Sequence, residues 1–65
     1  MNTLRLTPDN VFQYMNHQII FKHRNIYVVK SIIDISNSGK TLKIDLPYLK
    51  NNLEIVSRKV YVILK

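Results

Sequence analysis

The residues with the clearest chemical capacity are six cations, Lys22, Arg24, Lys30, Lys43, Arg58 and Lys59, with Tyr27, Tyr48 and Tyr61 interleaved among them. Lysine and arginine neutralise phosphates and release their counterions, and a tyrosine ring stacked on an unpaired base contributes about 1–3 kcal/mol. Together they form a candidate nucleic-acid-binding set: Lys22, Arg24, Lys30, Lys43, Tyr48, Arg58 and Lys59. Tyr48, beside Pro47, is the tyrosine best placed for stacking. Tyr27 alternates with inward residues and reads rather as a core aromatic with its hydroxyl at the rim, and Tyr61 stands in an apolar strand where it could simply pack.

Catalytic patterns are weaker. A general base needs an orienting acid and a pocket, and no spacing brings His17 or His23 next to Asp34 or Asp45. His23 beside Arg24 could serve a small basic ribonuclease, with cations stabilising a phosphorane-like state. A histidine at a hairpin tip is more often a turn residue, so the chain is expected not to be an enzyme. Asn37-Ser38-Gly39-Lys40-Thr41 contains Gly-Lys-Thr but lacks the upstream glycine of a phosphate loop, and a strand follows it. With no cysteine, two histidines and four acids, neither a disulfide nor a metal centre is expected, and no cofactor.

The formal charge is +6 on 65 residues. Such a field draws phosphate backbones or acidic protein faces, and also keeps a protein soluble. No apolar run approaches a membrane span, and Met1 to Leu6 is too short for the apolar core of a signal peptide. The expected location is the cytoplasm of the producing or host cell, with no membrane partner. Richness in Ile, Asn and Lys, with no Ala, Cys or Trp, suits a genome of low G+C content and would fit a phage or mobile element.

These residues must be positioned by short elements. Thr7-Pro8-Asp9 reads as a helix start, with Thr7 as N-cap and Pro8 at the first helical position, and Asn16 as a terminator. Val11, Phe12 and Met15 would form the apolar stripe of a helix over residues 7–16. From Gln18 the apolar period becomes two. Gln18 to Lys22 is a strand, His23-Arg24-Asn25 a turn, and Ile26 to Ile35 a long strand with Tyr27, Val29, Ile33 and Ile35 inward and a bend at Ser31. Ser36 to Lys40 is the strongest turn and holds the sole glycine. Thr41 to Leu46 alternates, with Leu42, Ile44 and Leu46 inward, and Pro47 ends it. Asn51-Asn52 makes a turn. Leu53 to Val56 and Lys59 to Leu64 form two strands or one kinked strand with its corner at Ser57-Arg58.

Mainly β architecture of the α+β kind follows: a short N-terminal helix, then four or five antiparallel strands without crossover helices. Curling would relieve the exposed edges of so small a sheet. The plan resembles small SH3-like and Sm-like barrels in topology over about residues 7–64, and no ligand residue is carried over from them. The expected organisation is a single domain over 1–65, with an N-terminal arm at 1–6, the helix at 7–16 and a β-barrel at 18–64. Few staples in so short a chain favour a homo-oligomer. Tyr61 and Ile63, which make the outer face of the last strand apolar, are the candidate interface residues. The expected function is a non-enzymatic basic binding module for RNA or DNA. The alternative is a small phage- or mobile-element-type inhibitor or regulator that docks onto an acidic protein surface.

Overall fold

The hairpin from Gln18 to Ser31 organises the rest of the chain. A computed structural model describes residues 2–64. Arg24 (φ 51°) and Asn25 (φ 64°) both take left-handed backbone conformations, as a two-residue type I′ turn requires. That turn sets His23 opposite Ile26, Phe21 opposite Val28 and Ile19 opposite Lys30. Label the strands in chain order: β1 Thr3–Arg5, β2 Gln18–His23, β3 Ile26–Ser31, β4 Asp34–Ile35, β5 Thr41–Lys43, β6 Asn52–Glu54 and β7 Val60–Ile63. They build two antiparallel sheets, ordered β1-β7-β2-β3 and β4-β5-β6.

The sheets share one core. Ile19, Phe21, Val60 and Val62 come from the four-stranded sheet, and Ile35, Leu42 and Leu53 from the three-stranded one. Leu6, Val11, Ile32, Ile44, Leu46 and Ile55 fill the space between from the connections. The chain passes between sheets at Ile32–Ile33. Ile32 N–H donates to the His17 carbonyl (2.9 Å), extending the β2–β3 ladder, and Ile33 N–H donates to the Lys43 carbonyl (2.8 Å) in the other sheet. The expected bend at Ser31 thus falls one residue later, and Ile26 to Ile35 is two strands.

The expected barrel is not formed: the sheets are not closed on each other. The expected helix is absent too. The segment makes a turn over Pro8–Asn10 and a single 3-10 turn at Val11–Tyr14. Its start is encoded as read, because Asn10 N–H donates to Thr7 Oγ1 (3.3 Å) and Thr7 N–H donates to Asn10 Oδ1 (3.0 Å). What fails is the stripe. Only Val11 is buried, while Phe12 and Met15 stay exposed, and so short a helix is not self-supporting without packing. Asn16 does take the left-handed backbone (φ 69°) that turns the chain towards β2. The N-terminal arm contains β1, paired with β7 from Thr3–Ile63 to Arg5–Tyr61.

The inward set of the long strand is also corrected. Tyr27 (68% exposed), Val29 and Ile33 face solvent, and Val28, Ile32 and Ile35 face the core. A turn of three residues at 23–25 would have given the other register. A one-residue slip flips every side chain to the opposite face. By contrast Leu42, Ile44 and Leu46 are buried as read, with Lys43 and Asp45 exposed. Pro47 opens a 3-10 turn, Pro47–Leu49, and the left-handed pair that follows is Lys50–Asn51 (φ 57° and 59°), one residue before the expected Asn51-Asn52. The C-terminal segment resolves into two separate strands, β6 and β7, joined through Ile55–Lys59.

Candidate nucleic-acid interface

Charge is divided unequally between the sheets. Residues 34–54 hold three lysines (Lys40, Lys43, Lys50) against three carboxylates (Asp34, Asp45, Glu54). The remaining described residues hold six cations (Arg5, Lys22, Arg24, Lys30, Arg58 and Lys59) and one carboxylate, Asp9, so a formal +5 resides with the four-stranded sheet and its connections. No strand of that sheet contains an acid.

The outer face of this sheet, away from the core, follows from the register. Arg5, Tyr61, Ile20 and Val29 form one cross-strand row, and Lys22 and Tyr27 are partners in the neighbouring row. Tyr61 lies opposite Ile20 and Val60 opposite Phe21. Continuing that register past the last paired residue puts Lys59 beside Lys22 and Arg58 beside His23. The second adjacency is seen directly, with an Arg58 guanidinium nitrogen 3.4 Å from His23 Nδ1. The face therefore carries Arg5, Lys59 and Lys22 around Tyr61 and Tyr27, with Arg24 at the hairpin tip. The Lys22 ammonium lies 5.8 Å from the centroid of the Tyr27 ring, a cation–π contact. Among the described residues no lysine or arginine donates a hydrogen bond to a carboxylate; Arg5 donates to the Arg58 carbonyl (3.3 Å).

Two features here are unfavourable for the fold alone. Like charges directly across a strand pair are destabilising, and the extended register makes Lys59 and Lys22 such a pair just beyond Phe21–Val60. Arginine also sits in the first position of a type I′ turn, where Asn, Asp or Gly is the low-cost choice.

At the tip, on the core side, lies a groove of about 370 Å³ lined by His23, Arg24, Ile26, Val28 and Tyr48. Tyr48 comes from the Pro47–Leu49 turn, and its ring lies 5.2 Å from the His23 ring at an angle of 34°. If Arg58 donates to His23 Nδ1, the neutral ring carries its proton on Nε2. That atom is buried and has no hydrogen-bond partner.

The structure thus gathers Lys22, Arg24, Arg58 and Lys59 at one end of the four-stranded sheet, and brings Tyr48 to the groove at the same end. It separates the other two candidates. Lys30, opposite buried Ile19, is on the core face at the sheet edge. Lys43 belongs to the other sheet, in a row with Asp34 and Asn52. Sequence reasoning missed Arg5, since nothing in Thr3-Leu4-Arg5 reveals that it pairs with the far end of the chain. It also read Tyr27 as core; recognising the two-residue turn would have turned that ring outward. Tyr61 and Ile63, the expected interface residues, are half-buried on the outer face.

His17 is exposed, 3.4 Å from the Met15 carbonyl and edge-on to Tyr14. Among the described residues neither histidine is hydrogen-bonded to a carboxylate, and no cluster of metal-ligating side chains is present. Among the described residues no helix is long and apolar enough to cross a membrane. Comparison with protein-family models, with curated proteins and with solved structures found no match to this chain.

Proposed function

We propose that this chain is a non-enzymatic module that binds an unpaired RNA or DNA strand on the outer face of its four-stranded sheet. The carrying observation is that the net positive charge of the described residues accompanies this one sheet, whose strands hold no acid and whose outer face exposes tyrosine. Arg5, Lys22, Arg24 and Lys59 hold phosphates, and Tyr27 and Tyr61 stack bases. Arg58 and Tyr48 flank the tip. Unpaired strands suit this surface because rings presented on a sheet reach only bases that are not already stacked in a duplex.

Titration of a labelled oligothymidylate and oligouridylate is the test. Affinity should fall steeply with salt, and Tyr61→Leu or Tyr27→Leu should each cost about 1–3 kcal/mol of binding while the fold persists. No binding of either oligonucleotide at low salt refutes the proposal.

A second reading, a small regulator or inhibitor of phage or mobile-element type that docks onto an acidic protein, is favoured by one observation. The edge strand β3 is long, exposes Ile26 and Val29, and has no further strand beside it among the described residues. A complex that survives nuclease treatment during purification supports it over the first reading.

A further inference from the structure

Four strands lie at sheet edges, and three of them are short: β1 and β6 have three residues and β4 has two. The fourth, β3, has six. Natural sheets blunt long edges with proline, bulges or cover, because an open edge is a template for another strand. β3 contains no proline, pairs with β2 without a bulge and has no further strand beside it among the described residues; its one charged residue is Lys30. Ile26 is 66% exposed and Val29 45%.

The pairing with β2 fixes which backbone groups are free. The residues flanking a two-residue hairpin turn form a hydrogen-bonded pair, and such pairs alternate along an antiparallel ladder. His23–Ile26, Phe21–Val28 and Ile19–Lys30 are thus the bonded pairs, and the Ile32 N–H to His17 carbonyl bond continues the alternation. Tyr27, Val29 and Ser31 therefore direct N–H and C=O away from β2, towards the open edge.

We propose that β3 accepts an extended acidic segment of a partner protein as a fifth strand of this sheet. The proposal rests on the second reading above and supplies its mechanism. An added strand would alternate its side chains between the two faces. On the core side, one beside Val28 enters the groove bounded by Ile26, Val28, Tyr48 and His23, whose volume of about 370 Å³ takes an apolar side chain. Two positions along, on the same face, the next side chain meets Lys30, so a carboxylate belongs there. Charge selects this occupant over a second copy: another chain would bring a further +6 to a sheet with no acid in its strands.

The test uses the full chain and a capped seven-residue peptide with a central valine, glutamate two positions to either side, and threonine elsewhere. Amide hydrogen exchange at Tyr27, Val29 and Ser31 should slow by about tenfold when the peptide is at ten times its Kd, as mass action requires. Two versions N-methylated on alternate sets of amides separate strand addition from loose contact: one set must abolish binding and the other must not. Replacing both glutamates with lysine should also abolish it. Equal effects of the two methylated peptides, or no slowing at millimolar peptide, overturn the proposal. So does slowing of the same amides by raising the protein concentration alone, which assigns the edge to a second copy. Failure here leaves the tyrosine-bearing face untouched, since that reading stands or falls on oligonucleotide affinity.

Discussion

Replacing Lys59 with glutamine should make the protein slightly more stable and a poorer ligand for nucleic acid at once. Extending the β2–β7 register one residue beyond Phe21–Val60 sets Lys59 beside Lys22, both exposed. Two ammonium groups held about 7 Å apart in water repel by about 0.6 kcal/mol. A Debye length near 8 Å at physiological salt reduces this to about 0.2–0.3 kcal/mol, whereas about 10 mM salt leaves nearly all of it. With a urea m-value of about 1 kcal/mol/M, Lys59→Gln should raise the unfolding midpoint by about 0.5 M at low salt and by about half that at physiological salt.

The binding arm follows from phosphate counting. Four contacts from Arg5, Lys22, Arg24 and Lys59 predict a log–log salt slope of about −2.8 on a single strand, at about −0.7 per phosphate. Affinity should then fall about fifty-fold between roughly 50 and 200 mM salt. The variant should show a slope of about −2.1 and a fall of about twenty-fold over the same range. Lys43→Gln, on the charge-neutral sheet, is the control and should leave the slope unchanged. A Lys59→Gln protein that is less stable at low salt, or that keeps the parental slope, would refute the reasoning, because either result means that Lys59 does not share a face with Lys22.

Other outcomes concern the scaffold. Gly39→Ala should cost about 1–3 kcal/mol by urea unfolding, because the residue has φ 74° and a Cβ there would lie 2.8 Å from the Pro8 carbonyl oxygen and 3.0 Å from the Phe12 ring. Phe21→Ala removes the largest fully buried side chain, costing about 3–5 kcal/mol against about 3–10 kcal/mol for a chain of this length, so circular dichroism should show a largely unfolded protein near 37 °C. Asn-Gly in place of Arg24-Asn25 should raise stability, since these residues suit the type I′ turn better, while lowering oligonucleotide affinity. An unchanged affinity would mean that Arg24 serves the turn alone.

Much of the β architecture was legible because each signal was local. The run from Leu42 to Leu46 has one apolar face whatever lies beside it, and the Ser36–Lys40 turn contains the one residue able to take φ 74° without strain. Thr7 and Asn10 lock together as neighbours in sequence. The helix after them was misread because a stripe of three apolar residues becomes a helix only if a core receives it, and the core takes Val11 alone.

Composition by itself determined that this protein is basic, lacks the residues for disulfides or thiolate metal sites, and is strand-rich from Gln18 onwards. Which cations lie together was decided only by tertiary structure, because sheet pairing joins residues far apart in the chain. Arg5 meets Tyr61 through β1–β7, and Tyr61 meets Ile20 through β7–β2, whose register points Lys59 towards Lys22. Whether Tyr27 faces core or solvent depended on a single residue of turn length. In a structure whose side chains alternate every second position, such a detail inverts a whole face, and no local preference reports it.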